Sequence, residues 1–405
     1  MRISDITVVA LGDACELRAR VESDADPEGP AWFDPWVLWY RFPAWCQPFL
    51  SPENGDPFLA ALLPIAMATD PNLVVPVPVS PTLQRATDQI QAIYACFDPR
   101  LTRIEIEAPV RDRSASPVAN PPDSGLFFSL GVDSFYSLLK NVRNHPGDDE
   151  TVTHLIAIHG FDAAYGTWDS TFPPAFLARA ERVAGELGKT LLPVVTNLRI
   201  ASEPLLSWNM THGAALASVA LALGGLFRHV TIAASTTYDQ LYPWGSHPLL
   251  DPLWSTERLA VVHDGCELGR INKTHLVVRS PLVLDTLRVC PGYEAAYNCG
   301  QCIKCLPTMI DLLLAGVLER CATLPDTIDV ERLRQVFRTY GDHLNRENYQ
   351  RRLDALGSSP VHAPLREVLS EYLERGPAPD GGNGAPLARS QRRRRLPRWL
   401  RRPIR

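Results

Sequence analysis

The alternation of apolar and polar positions divides the chain into stretches of different character. Over residues 1–115, period-two runs at 6–10 and 17–21 and an aromatic-rich run at 36–42 predict strands. Apolar spacing predicts helices over 56–68 and 80–97, the second opened by Ser80-Pro81, a capping serine before proline. Short β-branched runs at 73–77 and 104–106 complete an α+β unit. Residues 111–124 are polar and proline-rich, which predicts a linker and a domain boundary. From Gly125 the pattern turns to strand then helix, repeatedly. Strands are expected at 126–129, 154–159, 190–196 and 229–233, and helices at 134–142, 176–187 and 212–223. Buried strands alternating with amphipathic helices predict an α/β fold, a Rossmann-like parallel sheet with helices on both faces. Residues 326–375 read as a helical extension, clearest at 330–340 and 365–373. The expected organisation is thus 1–115, 125–325, 326–375 and a disordered tail over 376–405.

Composition changes this picture little. Of 405 residues, 45% are hydrophobic and 21% charged, enough for a core and against whole-chain disorder. No apolar run is long enough to cross a bilayer, and Met1-Arg2-Ile3-Ser4-Asp5 leads into no leader-like segment. A cytoplasmic protein without stable membrane insertion is expected. Charge is more informative. The net −5 hides nine Arg and no acid within 389–405; the rest carries 31 basic and 45 acidic residues, −14. An acidic body argues against duplex nucleic acid as partner. The tail, with Leu396, Trp399, Leu400 and Ile404 between its arginines, is read as a solvated end able to touch anionic surfaces weakly.

Four of nine cysteines crowd into Cys290-x8-Cys299-x2-Cys302-x2-Cys305. Four thiolates at this spacing can close a tetrahedral shell around Zn²⁺. An iron–sulfur cluster uses the same ligand type. A redox CxxC pair leaves two of the four without a role. A closed shell of four protein ligands points to a structural metal.

The first strand of the α/β part runs into Ser129-Leu130-Gly131-Val132-Asp133-Ser134 and then a helix. Amide groups at a helix N-terminus carry partial positive charge and hold anions. Without Gly-Lys-Ser/Thr this is no Walker A loop. An ordinary N-capped helix, with Asp133 or Ser134 as cap, is the plain alternative. The loop resembles the PP-loop, Ser-Gly-Gly-x-Asp-Ser, of the ATP pyrophosphatase superfamily. Ser129, Gly131, Asp133 and Ser134 match, and Leu130 replaces the first glycine. Taken with the cysteine spacing, residues 125–310 resemble 7-cyano-7-deazaguanine synthase of queuosine biosynthesis. They are also similar to a group of bacterial PP-loop proteins carrying stretches like 244–257 and 298–309, with Pro307 where an arginine is expected, so that a cation is either missing there or supplied by another residue such as Lys304.

The resemblance implies an adenine nucleotide alpha hydrolase type of fold and ATP, Mg²⁺ and Zn²⁺ as cofactors. It implies a ligase that adenylates a small-molecule carboxylate, releasing pyrophosphate, and then forms an amide or nitrile with ammonia or an amine. Asp133 and Ser134 would be catalytic. Ser129, Gly131, Asp133 and Ser134 would bind nucleotide. His159 and Asp162 end the second strand of the sheet, where nucleotide-binding α/β folds often receive the adenosine, and Asp162 reads equally as a ribose or Mg²⁺ contact and as a capping residue in a turn.

The loop 233–251 follows a strand and is rich in hydroxyls and aromatics, so Tyr242, Trp244, Ser246, His247 and Asp251 are acceptor-pocket candidates. Asn197 and Arg199 end a strand, with a surface ion pair as the plain reading of Arg199. His212 opens a helix. Lys273 and Arg288 are phosphate contacts or solvated charges. Three rivals stand beside amide synthesis: sulfur transfer, for which Cys266 is the nearby thiol, a modification or defence role whose acceptor is a protein terminus or nucleic acid, and a non-catalytic nucleotide-binding partner protein. A homo-oligomer is compatible with all of them.

Overall fold

The computed structural model describes residues 1–25, 33–112, 121, 123–147, 149–161, 171–290 and 297–376. The expectations for Asp162 and the arginine-rich tail lie outside these residues. By contacts the chain forms two compact units. Among the described residues, unit 1 comprises Met1–Ser129 and Ser137–Glu267, and unit 2 comprises Leu130–Tyr136 and residues 268–376.

Unit 1 is built on one ten-stranded sheet, mostly parallel and flanked by helices. Its strands are β1 (Arg2–Leu11), β2 (Ala14–Glu22), β3 (Trp36–Pro43), β4 (Asn72–Val74), β5 (Glu105–Glu107), β6 (Asp123–Phe127), β7 (His154–His159), β8 (Thr190–Thr196), β9 (Phe227–Ala233) and β10 (Ala260–Asp264). The order is β10-β9-β6-β7-β8-β3-β2-β1-β4-β5. The first five in that order are parallel, β8-β3-β2-β1 are antiparallel, and β4 and β5 return to parallel pairing.

Strands from both sides of the 111–124 stretch therefore share a sheet. The junction is β3 with β8, where Tyr40 and Arg41 face Thr196 and Val195. Asn197 reinforces it: its amide accepts from Trp39 N–H at 3.0 Å and donates to the Val37 carbonyl at 2.7 Å. The residue that ends the predicted strand is a stitch between strands.

Helices fall near the predicted spans, and one more, over 198–202, was not predicted. They are α1 (Asp56–Thr69), α2 (Pro81–Phe97), α3 (Val132–Asn144), α4 (Pro174–Glu186), α5 (Leu198–Ser202) and α6 (Trp208–Ala222). Ser80 caps α2 by accepting from Thr82 and Leu83 N–H, as its sequence predicts. α1 is apolar on nearly every side and buried along almost its whole length, packed against α6. α3 begins in unit 2 and runs into unit 1.

Unit 2 is helical: α7 (Arg270–Val277), α8 (Pro281–Thr286), α9 (Cys305–Leu314), α10 (Val330–Tyr340), α11 (Arg346–Leu356) and α12 (Ala363–Glu374). Leu306 and Ile310 of α9 join Leu333, Phe337, Tyr349, Leu369 and Tyr372 in one core. Beneath it, Arg352 makes a two-pronged pair with the buried Asp311, both contacts 2.8 Å. No described helix is long and apolar enough to cross a membrane.

Candidate functional site

In the parallel part of the sheet the chain runs from β6 outward to β7 and β8, then returns to β9 and β10 on the other side of β6. The direction of winding reverses between β6 and β9. In open α/β sheets, ligands bind beyond the carboxyl ends of the strands at such a reversal. The segment leaving β6 at this point is the 129–134 loop.

The loop alternates in exposure. Ser129 is exposed, Gly131 and Asp133 half-buried, and Leu130, Val132 and Ser134 buried. Leu130 sits at φ 61°, one of two non-glycine residues with positive φ among the described residues. A left-handed leucine costs about 1–2 kcal/mol. Its fully buried side chain offsets that cost, since burying a leucine contributes about 1.5–3 kcal/mol. The turn is one that suits glycine, and the leucine side chain there is turned into the interior. We expect Leu130→Ala to destabilise by about 2–4 kcal/mol, and Leu130→Gly by about 1 kcal/mol less because it relieves the strain. Denaturant melts of the two variants check this ordering.

At the start of α3, Ser134 Oγ donates to the Gly131 carbonyl at 3.0 Å, and Phe135 N–H donates to the same oxygen at 2.9 Å. Arg288 N–H donates to the Leu130 carbonyl at 2.9 Å. Asp133 receives an ion pair from Arg270 and a second contact from Lys273 Nζ at 3.3 Å. Lys273 is not a solvated charge: it is buried, with its ammonium 5.5 Å from the Tyr136 ring centre. Arg270 went unnoticed in the sequence, because a lone arginine after a glycine carries no distinguishing spacing. The polar groups gathered here within unit 2 are one carboxylate, two cations and a helix N-terminus. That is chemistry suited to a phosphate-bearing ligand.

The four cysteines also come together. Their sulfurs lie within 4.8 Å of one another, with Cys299 and Cys305 Sγ 3.9 Å apart. A tetrahedral Zn–S shell with bonds of about 2.3 Å spaces its sulfurs just under 4 Å. Cys299 N–H donates to Cys290 Sγ at 3.3 Å and Cys305 N–H to Cys302 Sγ at 3.4 Å, bonds that stabilise thiolates. The contact with Cys290 pushes the Cys302 and Cys305 thiols up, since crowded sulfurs resist sharing negative charge. A divalent cation reverses that balance. The cluster can hold a metal ion such as zinc.

The 233–251 loop has a different character. Asp251 is fully buried; it accepts from Ser246 Oγ at 2.7 Å and lies 2.7 Å from His263 Nδ1. His247 is buried against Phe97, and its Nδ1 accepts from Leu249 N–H at 3.1 Å. Just beyond, Glu257 accepts from Ser80 Oγ and Thr82 N–H, both 2.7 Å. Ser246, His247, Asp251 and Glu257 therefore brace the stretch 244–257 against α2 and β10. Tyr242 and Trp244 remain available: Tyr242 is exposed and its ring lies 5.3 Å from that of Trp244.

Trp244 continues through His212 to Trp208, and Trp208 to Phe161, as a row of ring contacts. His212 lies one turn inside α6, which Ser207 caps. Arg199 lies over Trp208 and pairs with Glu203, the ion pair its sequence suggests. His159 ends β7 with its ring 5.3 Å from that of Phe172. The next residue, Gly160, must be glycine, because at φ 105° a Cβ would stand 2.0 Å from the Thr196 carbonyl.

Burial holds His154, His212 and His247 below the ordinary imidazole value. The unfolded chain then takes up protons first. Their contribution to stability is whole above the unfolded value of about 6.5 and is lost as pH falls through the lower folded values. The melting temperature should fall between about pH 7 and pH 5, and His212→Gln should flatten that slope. Thermal melts across that range check it.

No family model, curated protein or solved structure matches the chain.

Proposed function

We propose that the chain is an ATP-consuming ligase of the PP-loop type, with zinc as a structural metal at the four cysteines. The observation that carries this reading is the turn from β6 into α3. It follows β6 directly in the chain, has a left-handed residue at Leu130, and sets Asp133 against Arg270 and Lys273. Strain retained beside a helix N-terminus is the kind of feature that ligand sites keep.

In the proposed reaction a carboxylate oxygen of a small acid attacks the α-phosphorus of ATP. The bond between the α-phosphorus and its bridging oxygen breaks, and pyrophosphate leaves with that electron pair. An amine or ammonia then attacks the acyl carbon, AMP leaves, and the nitrogen gives up a proton to solvent. Positioning supplies much of the rate, since amine attack on an acyl-adenylate needs little acid–base help. The helix N-terminus, Arg270 and Lys273 would take the charge of the departing pyrophosphate, and Asp133 would share Mg²⁺.

Phosphorus NMR of the protein with ATP, Mg²⁺ and a pool of small carboxylic acids tests this. AMP with pyrophosphate supports it, whereas ADP with phosphate overturns it. Tight ATP binding without turnover would select the rival reading of a non-catalytic nucleotide-binding protein. Sulfur transfer is less favoured, because Cys266, its thiol candidate, is buried.

A further inference from the structure

A cavity of about 240 Å³ lies in unit 1 between the sheet and the second half of α3. Its floor is one face of three parallel strands: Ser124 and Leu126 of β6, His229 and Thr231 of β9, Val262 and Asp264 of β10. Ser137, Lys140 and Asn141 of α3 form a wall, closed by Glu150 and Val152. None of these groups belongs to the 129–134 loop or the cysteine cluster.

Two features mark it as more than a packing gap. Ser124 and His229 are register partners on neighbouring strands and both line the cavity. Ser124 is 3% exposed, yet its Oγ has no hydrogen-bond partner among the described residues, and neither does His229 Nδ1. Leaving two such atoms unmatched side by side costs about 1–3 kcal/mol each, so a polar occupant is expected to meet them. The second feature is charge. Lys140 is held by Asp264 at 2.6 Å and Glu267 at 2.7 Å, and Asp264 also accepts from Ser137 Oγ at 2.6 Å. The lining also holds Glu150 and His145, 3.6 Å apart, so that with Glu267 at the rim three carboxylates stand against Lys140 and His145. Leu126, Val152 and Val262 supply an apolar surface between the polar ends.

We propose that this cavity is a second ligand site, taking a small amine of single-ring size. Its ring lies on Leu126, Val152 and Val262, and its ammonium faces Asp264 and Glu150. A further polar group, water or its own, meets Ser124 and His229. The volume suits this, since an engineered cavity of about 150 Å³ already holds benzene. The proposal does not depend on the ATP chemistry.

The test is histidine-ring NMR of the full chain titrated with benzylamine, benzyl alcohol and benzoate. Ligands of this size bind weakly, so millimolar concentrations are used. The His229 signals should move most with benzylamine, less with benzyl alcohol and not with benzoate. Ser124→Val should weaken benzylamine about three- to tenfold, the worth of one hydrogen bond. Val262→Trp fills the cavity from a strand position that is 39% exposed, and should abolish the response while the melting temperature holds. Unmoved His229 signals, equal binding of benzoate, or an unchanged response in the tryptophan variant would each overturn the proposal.

Discussion

Stripping metal from the four-cysteine cluster is expected to unfold the region around it and to cost unit 2 several kcal/mol. Structural Zn²⁺ contributes about 10–16 kcal/mol of apparent binding energy in small zinc domains, as large as the whole stability of a typical domain. Among the described residues Asn298 is a polar anchor of this segment, accepting from Val289 and Cys290 N–H and donating to the Leu287 and Thr323 carbonyls, and the Tyr297 hydroxyl donates to the Thr286 carbonyl at 2.8 Å. Cys305 opens α9, whose next turns supply Leu306 and Ile310 to the helical core. Loss of the metal should therefore loosen α9 and the helices packed on it. Elemental analysis should find one zinc per chain, and chelation under reducing conditions should expose the 290–305 segment to protease and lower the melting temperature. Cys302→Ser should do the same without chelator. An unchanged melting curve in the metal-free chain would sink the structural role, and iron with visible absorption would replace zinc by a cluster.

The sequence was most legible where the chemistry is local. β7 and β8 fall on the predicted spans 154–159 and 190–196, because buried parallel strands are continuous apolar runs between turn residues. The cysteines are equally legible, since all four ligands lie within sixteen residues and their spacing is itself the geometry. What escaped notice depends on distant partners. β10 is a short edge strand with His263 and Asp264 at its end, too polar to stand out. α7 was missed because a polar helix gains its stability from the core it covers, and α11, within the stretch read as helical, did not stand out from it for the same reason.

The stretch 244–257 shows the opposite limit. Its Ser, His and Asp looked like a ligand pocket. Residue type cannot tell a side chain aimed at solvent from one spent on an internal partner. Asp251 has Ser246 and His263 around it, so much of the polar content holds the loop in place. Only the aromatic pair, Tyr242 and Trp244, keeps the availability that its composition suggested.

Replacing Arg270 with alanine is expected to lower AMP and pyrophosphate formation by about 10²–10³-fold while leaving the fold intact. Removing one preorganised group that meets developing charge typically costs that much. Arg270 is partly exposed at the start of α7 and faces Asp133, 137 residues away in sequence. Truncating it leaves Lys273 to meet the Asp133 carboxylate, so no buried charge is stranded. Lys273 differs: it is buried, and Lys273→Met should change stability as well as rate. Asp133→Ala gives the complementary result. It leaves two cations without their shared carboxylate, so it should preserve binding of inorganic pyrophosphate, or tighten it, while abolishing turnover with Mg-ATP. A structural ion pair predicts otherwise: Arg270→Ala and Asp133→Ala would lose stability in parallel, and neither would alter pyrophosphate affinity. Calorimetric titration of pyrophosphate into the three variants, beside their melting curves, separates the two accounts. Opposite changes in affinity for Arg270→Ala and Asp133→Ala would favour the anion site, and equal losses of stability alone would reduce the cluster to a helix clamp.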